Sequence, residues 1–385
     1  MGVGMDSLLT GGTAVVTANT DTVSCNNPGN KHTPEASVPA ALAAARCDLL
    51  VIGPGRATPR VAGVLAKALG LPIEAIVDAV YRAPGRLVPG LPAGEAARLV
   101  QMLAPLGLDL AVVPAGRAIT RGPLRDVAAE LIDPDAADAA AAALGGFLGL
   151  APVAALDLLL TPPGIVLGNV TPPTVAALAA ALPAGCVRLV EVEPDTARYA
   201  LFAAGLTVQQ AGALRGRLPT GAALGADGSA LLLGLSRSEA DALWRRLRAP
   251  EKVRIVPEVL LRFGIMLHAA PETAGAALDR LAGVPEAEFA PVLQALPLVV
   301  ESDLPLAGLE ARLADYAQAG MTATAELESF APVVLEVLSA SPEALAAAGL
   351  TGRVPFATVP MPRPRARLLR HRLEAAGAEV WEAVA

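Results

Sequence analysis

Short apolar runs and helical patterns alternate along most of this chain, always in the same order. The first run, Leu49–Ile52, is continuous and apolar, which is typical of a buried strand. The pattern after it predicts two helices, a strand, a third helix and a last strand: Thr58–Leu69, Ile73–Arg82, Arg86–Leu91, Ala93–Ala104 and Leu108–Val113. Together these elements predict a small unit with the order strand, helix, helix, strand, helix, strand.

The spacing of glycine and proline indicates that this unit is repeated. Pro84 lies 14 residues after Gly70, and Gly107 follows 23 residues later. The same spacings, within one residue, recur at two further sets of positions: Gly149, Pro163 and Gly185, and Gly283, Pro297 and Gly320. Glycine adopts the positive φ that ends a helix, and proline cannot continue a helix. We therefore interpret these residues as marks of helix ends rather than as phosphate-binding loops.

Two weaker copies, opening at Tyr199–Gly205 and Val333–Leu338, have a lost or shortened second helix. Residues 1–45 are rich in Thr, Asn, Ser and Gly, which predicts an extended arm that is ordered only against a partner. The predicted fold class is α+β, a tandem array of five βααβαβ units, each a three-stranded sheet covered by helices, with an N-terminal arm. The predicted boundaries are 1–47 for the arm and 48–116, 117–194, 195–258, 259–329 and 330–385 for units I to V.

Short motifs in unit I resemble the C-terminal domain of the bacterial ribosomal stalk protein. They are Gly70-Leu71 before the second helix, Ala83-Pro84 after it, Gly90-Leu91, Glu95-Ala96 in the third helix and Gly107 before the last strand. The segment from His371 to Val380 is similar to the end of that domain. The Clp-protease adaptor that delivers N-degron substrates shares the same fold. The resemblance covers most of residues 48–383 and implies a stalk-like fold for each unit.

The functional residues of these relatives are not matched as well as their fold. The stalk family docks translation GTPases through basic residues of its first helix, and the matching positions here are Thr58, Gly63 and Ala66. The adaptor's pocket needs an acidic and an amide residue near its first strand. Asp48 or Asp126 supplies an acid, but no amide partner follows. The resemblance is therefore not extended to either activity.

Composition and charge narrow the function classes further. The 385 residues carry a net charge of −7, which argues against a nucleic-acid-binding surface. Pro, Gly or charged residues interrupt every apolar stretch before the length of a membrane span, and residues 1–20 lack a signal-peptide pattern. Cys25, Cys47 and Cys186 have no paired spacing, so they form no disulfide framework or metal site. We expect a soluble, cytoplasmic protein.

No pattern in the chain predicts catalysis. Gly53-Pro54-Gly55 follows a strand but does not complete a dinucleotide-binding motif, and His32, His268 and His371 lie in different segments. We therefore expect no catalytic residue, no cofactor, no metal and no small-molecule substrate.

One cluster of charge stands out near the C-terminus: Arg363, Arg365, Arg367, Arg370 and Arg372, with His371 among them. On a helix, Arg363, Arg367 and Arg370 share one face. Either this face is solvated, or it docks on an acidic protein surface or on phosphates. The five arginines are the candidate partner-binding residues.

These observations favour a non-enzymatic scaffolding subunit of a larger assembly, with protein partners through self-association or a multi-subunit complex. The alternative is an adaptor that binds peptide clients or GTPase-like factors. The joints between units are short, so we expect consecutive units to pack into a rigid, curved or rod-like body.

Overall fold

The computed structural model of this protein describes residues 46–215, 229–247 and 252–385. The predicted arm, residues 1–45, lies outside this part of the chain. So does the segment 216–228, between the first helix and the second strand of unit III. The described residues form mixed helical and antiparallel structure in five small sheets, one for each predicted unit. The predicted α+β class is therefore confirmed.

The elements follow the predicted order, with short 3-10 turns between some of them. Unit I contains β1, α1, α2, β2, α3 and β3: Arg46–Gly53, Pro59–Leu69, Ile73–Tyr81, Gly85–Pro92, Ala93–Leu103 and Asp109–Pro114. Unit II contains β4, α4, α5, β5, α6 and β6: Arg125–Leu131, Ala137–Leu148, Pro152–Leu159, Ile165–Val170, Pro172–Ala181 and Val187–Val192. Unit III contains β7, α7, β8, α8 and β9: Tyr199–Ala203, Val208–Arg215, Ala230–Leu235, Arg237–Leu247 and Val253–Pro257.

The last two units differ in their second helix and second strand. Unit IV contains β10, α9, α10, β11, α11 and β12: Arg262–Ala269, Gly275–Ala282, Phe289–Gln294, Leu298–Pro305, Leu309–Gln318 and Thr322–Leu327. Unit V contains β13, α12, β14, β15, α13 and β16: Pro332–Ser339, Pro342–Ala347, Phe356–Ala357, Met361–Pro362, Arg363–Ala375 and Glu379–Val384.

In every unit the first strand lies at the centre of the sheet. The strand orders of units I to IV are β2-β1-β3, β5-β4-β6, β8-β7-β9 and β11-β10-β12. In unit V, β13 pairs with β14 and β15 on one side and with β16 on the other. One residue near the middle of each central strand has no exposed surface: Leu49, Val127, Leu201, Ile265 and Leu335. Each small core is built around this strand.

The helix ends confirm the interpretation of the repeated glycines. Gly70, Gly149 and Gly283 each end the first helix of their unit with φ between 65° and 73°. In unit V the sequence also predicts a strand at Val354–Val359, and this range is too long. Only Phe356–Ala357 (β14) pairs with β13 there, and the next paired segment, Met361–Pro362 (β15), follows Pro360, which has no N–H to donate to the ladder.

Units I and II are joined where the end of α2 meets the start of α6. Two buried threonines of unit II donate hydrogen bonds to backbone carbonyls of unit I. The hydroxyl of Thr171 bonds to the carbonyl of Ala83, and that of Thr174 bonds to the carbonyl of Tyr81 at 2.9 Å. Both threonines are fully buried, so the joint is specific and closely packed.

Units II, III and IV share one apolar core. Ala128 of β4 packs in the same buried cluster as Ala200 of β7 and Phe263 of β10. Phe202 of unit III stacks on Phe330, which follows unit IV, with a ring centroid distance of 4.8 Å. Consecutive units therefore pack on one another, as predicted.

The five units do not form a linear array in which each unit contacts only its neighbours in sequence. Helix α13 of unit V returns to unit II, where Leu368 packs with Ala137 and Leu160 in a buried cluster. In a linear repeat array each repeat contacts only its neighbours. Of the expected rigid, curved or rod-like body, the straight rod is therefore excluded, since unit II contacts units I, III, IV and V.

Among the described residues, no single helix combines the length and apolarity that a membrane span requires. Two helical segments of unit II, Pro134–Leu148 and Pro152–Leu159, meet these criteria only as a pair, with a bend of 107° between them. Both contribute to the core of unit II, where Leu144 and Ala155 have no exposed surface.

Candidate functional site

A carboxylate holds an irregular turn of the second strand in each of units I to IV. At this turn one residue has a positive φ: Gly90, Asn169, Gly234 and Asp303. Its backbone N–H donates to a carboxylate of the same unit: Asp48, Asp126, Glu258 and Glu328, respectively. In units I and II the acid lies on the central strand, whereas in units III and IV it directly follows the third strand.

Asp48 shows the chemistry of this contact. Its Oδ1 accepts from the N–H of Gly90 at 2.8 Å, and its Oδ2 accepts from the N–H of Gly116 at 3.1 Å. The Nε of Arg86 lies 3.0 Å from Oδ2. The N–H of Gly90, then that of Gly116 and the Arg86 guanidinium, lower the pKa of Asp48 against the opposing effect of desolvation. The carboxylate is only 2% exposed, so it braces the sheet and is not available to a peptide client.

The arginines of α13 lie against carboxylates of other units. Two ion pairs and one hydrogen bond join this helix to unit II: Arg365 pairs with Asp157 and Arg372 with Asp138 at 3.0 Å, while the ring of His371 shares a hydrogen bond with Asp135 at 2.6 Å. Two more ion pairs join it to unit IV: Arg363 with Glu328, and Arg367 with Asp303 at 3.4 Å. Arg370 pairs within its own helix, with Glu374. Four of the five candidate arginines therefore meet an acidic surface of the same chain.

The ion pairs continue across the boundary between units II and IV. Glu130 of β4 pairs with Arg188 of β6 and with Arg262 of β10, the latter at 2.7 Å. Arg262 also lies 3.8 Å from Asp303, which pairs with Arg367. Alternating charges thus connect unit II, unit IV and unit V through side chains that range from 17% exposed at Arg262 to 54% exposed at Arg188.

This network surrounds a cavity of about 340 Å³ at the junction of the three units. Its charged side is formed by residues of the network, and its apolar side by Leu131, Leu160, Leu260 and Leu368. The arginines that line it, Arg188, Arg262, Arg363 and Arg367, each pair with a carboxylate. The charges here neutralise one another across unit boundaries, so the arrangement holds the units together.

The other residues considered for metal binding or catalysis do not form a cluster in the described part of the chain. Within the described ranges, no three His, Cys, Asp or Glu side chains are placed to hold a metal ion. Cys47 and Cys186 are free thiols, while Cys25 and His32 lie outside the described residues. The ring of His268 shares a hydrogen bond with the hydroxyl of Thr324 at 2.7 Å.

Sequence reasoning found the arginines but missed their partners. Asp138, the partner of Arg372, lies in the first turn of α4, and Asp135, which contacts His371, lies in the 3-10 turn just before it; neither segment has a basic residue. The excess of acidic over basic residues in this segment was the only sign in the sequence that it meets a basic surface. It does not identify which basic segment of the chain that surface belongs to.

Compared with protein family models, with curated proteins and with solved structures, the chain matches none. The resemblance to the ribosomal stalk domain therefore stays a prediction.

Proposed function

We propose that this protein is a non-enzymatic scaffolding subunit of a larger assembly, acting in the cytoplasm through protein–protein contacts. One observation carries the proposal. Charged side chains of α13 join unit V to units II and IV instead of converging on an exposed reaction centre. Five fused units braced in this way offer an extended, preorganised surface for several protein contacts.

Open sheet edges supply the proposed contact sites. In the part of the chain that the structure describes, β3 and β16 each pair with a neighbour on one side only. On β16 the side chains of Trp381 and Val384 are 62% and 65% exposed. An unpaired strand edge is a template for another strand, and apolar side chains on it favour pairing. The N-terminal arm, residues 1–45, is the proposed strand donor to an adjacent subunit.

The proposed partners are proteins, as further copies of this chain or as other subunits of the same complex. The proposal assigns no role to nucleic acid, a cofactor or a small-molecule substrate. The resemblance to stalk and adaptor domains, whose known roles depend on protein contacts, agrees with it.

Light scattering of the native protein, with identification of what co-purifies, tests this proposal. We expect large particles from the full chain and much smaller ones after deletion of residues 1–40, with the circular dichroism of the body unchanged. Normal particles from the shortened chain would contradict the role of the arm. A full chain that stays small and holds a single client protein would contradict the scaffold and favour the adaptor alternative.

A further inference from the structure

The cavity at the junction of units II, IV and V has the size and the position of a ligand site. Its volume of about 340 Å³ lies within the range of about 300–1,000 Å³ that is usual for small-molecule pockets. Such pockets occur preferentially at interfaces between domains, and three units line this one. The ion pairs account for the charged side of its wall, but not for the apolar side.

The apolar side offers a surface to an aliphatic group. Leucines from three units line it: Leu131 and Leu160 from unit II, Leu260 from the start of unit IV and Leu368 from unit V. Each methylene group that a ligand buries against such a surface raises its affinity about fourfold. A ligand with an aliphatic chain is therefore favoured over a simple inorganic ion.

The charged side has more hydrogen-bond donors than its carboxylates use. A guanidinium carries five N–H groups, whereas an ionised carboxylate only accepts. Arg188 donates from Nε at 2.8 Å and from Nη2 to one oxygen of Glu130, and its Nη1 has no acceptor among the described residues. Arg367 donates only from Nη1, to Asp303 at 3.4 Å, so within the described ranges its Nε and Nη2 have no acceptor. These two arginines can bind an anion without breaking an existing ion pair.

The other two arginines of the cavity are held more completely. Arg262 donates from Nη1 to two backbone carbonyls and from Nη2 to Glu130 at 2.7 Å. Arg363 pairs with both Glu328 and Glu382. The available donors are therefore on the first two arginines, whose side chains are half-exposed.

The carboxylates of the cavity wall limit the charge of a ligand. Glu130, Asp303 and Glu328 all line the cavity. They repel a ligand with two negative charges, such as a phosphate monoester, more strongly than a ligand with one. A single carboxylate can accept from both available guanidinium groups and keeps this repulsion small. The ligand class that fits both sides of the cavity is a monocarboxylic acid with an aliphatic chain.

We propose that this cavity binds a small aliphatic monocarboxylate, with its carboxylate at Arg188 and Arg367 and its chain against the leucines. The proposal goes beyond the scaffold and does not depend on it, and it assigns no reaction to the ligand. The wall of the site combines units II, IV and V, so the site is complete only when unit V is docked. Binding therefore stabilises the docked arrangement.

Isothermal titration calorimetry of the full chain with sodium octanoate tests the site. Octan-1-ol has the same chain without the charge, and sodium acetate has the charge without most of the chain. We expect one octanoate per protein chain, with octanol and acetate each binding at least about tenfold more weakly. Amide hydrogen exchange in α13 and in the first helix of unit II should slow when octanoate is added.

Two variants locate the ligand within the protein. Arg188→Gln and Arg367→Gln each remove a donor to the carboxylate, so each should weaken octanoate binding about tenfold and leave the affinity for octanol unchanged. Arg370→Gln makes the same change in charge on α13, outside the cavity, and should bind octanoate as the wild type does. Circular dichroism checks that each variant folds. If Arg367→Gln does not fold, Arg188→Gln on the sheet of unit II repeats the test.

The outcomes separate this site from the scaffold. Weaker octanoate binding in the two cavity variants, with unchanged binding in Arg370→Gln, supports the site. If octanoate does not bind, or binds all variants equally, the site is overturned. Equal affinities of the wild type for octanol and octanoate would overturn the assignment of a carboxylate ligand. The particle size of the native protein, measured separately, tests the scaffold.

Discussion

The carboxylate of Glu328 fills the space that a side chain at Gly264 would occupy. Its Oε1 lies 2.6 Å from the position of a Cβ built on Gly264. Gly264 precedes the fully buried Ile265, as Asp48 precedes Leu49 and Asp126 precedes Val127. Unit IV therefore obtains its bracing carboxylate from the residue after β12, whereas units I and II carry it on the central strand.

This relationship predicts that an aspartate at position 264 compensates for the loss of the Glu328 carboxylate. Glu328→Ala leaves the N–H of Asp303 without its acceptor and should lower the free energy of unfolding by about 1–3 kcal/mol. Gly264→Asp alone should also destabilise, because its Cβ meets Glu328 at 2.6 Å. Combined with Glu328→Ala, however, the closest clash of the new aspartate is removed, and it can accept from Asp303 once the carbonyl oxygen of Glu301, at 3.1 Å from the Cβ, shifts slightly. Denaturant titration of the two single variants and the double variant measures the coupling.

Glu326, an exposed residue of β12, provides the control. Glu326→Ala should change the free energy of unfolding by less than about 0.5 kcal/mol. If the double variant is no more stable than Glu328→Ala, the carboxylates of units I and IV are not interchangeable, and the proposed equivalence is wrong.

The bracing carboxylate of unit I predicts a dependence on pH. The pKa of Asp48 is lowered in the folded chain, chiefly by the N–H of Gly90. A lowered pKa stabilises the fold above the unfolded value of about 3.9, and this stability is lost as pH falls through the folded value. The difference in the free energy of unfolding between the wild type and Asp48→Asn should therefore be largest near neutral pH. The difference should shrink below about pH 4.

Unfolding measured by denaturant across this pH range checks the sign. Glu95→Gln, on the exposed surface of α3, is a matched control and should follow the wild-type curve. A stability difference between Asp48→Asn and the wild type that stays constant from neutral to acid pH would show that the charge of Asp48 is not what braces the sheet.

Local sequence patterns predicted most of the fold. The strand predicted at Arg86–Leu91 lies within β2, Gly85–Pro92, because Pro84 cannot continue the preceding helix and so marks where the strand begins. The prediction for β1 was too short, since the sequence pattern shows only its apolar part. Its polar first residues, among them Asp48, belong to the strand through contacts with distant backbone groups.

The junction between units could not be predicted in the same way. Periodicity indicates which face of α13 is basic, but not that Arg365 meets Asp157 of unit II. That pairing depends on how five units pack together, and no local pattern encodes it. The two roles of Glu328, which accepts from Asp303 and pairs with Arg363, are equally invisible in the sequence.

Removing a hydrogen bond from the joint between units I and II should lower stability locally. Thr174 is fully buried and donates to the carbonyl of Tyr81. Thr174→Val keeps the shape of the side chain but leaves the carbonyl of Tyr81 with only the longer bond from the N–H of Thr171 at 3.3 Å, which should cost about 0.5–1.5 kcal/mol. Amide hydrogen exchange should then quicken in α2 and at the start of α6. If exchange in α2 is unchanged, the joint does not depend on this hydrogen bond. Thr196→Val, at an exposed hydrogen bond to Glu193, is the control.

In the contact of α13 with unit II, we expect apolar packing to contribute more to stability than the ion pairs do. Leu368 is 4% exposed and packs with Ala137 and Leu160. Leu368→Ala should cost about 2–5 kcal/mol, as is usual for a buried leucine. Arg365→Ala removes an ion pair with exposed partners and should cost about 0.2–1 kcal/mol, less at high salt because the charges are screened.

Amide hydrogen exchange along α13 and in the first helix of unit II compares these two variants. The Leu368→Ala change should speed exchange in both segments much more than Arg365→Ala does. Arg370→Ala, which breaks only a pair within α13, should leave the unit II segment unchanged. Equal effects of Leu368→Ala and Arg365→Ala would mean that charge, not packing, closes the array. In that case the opening of unit V should follow ionic strength directly.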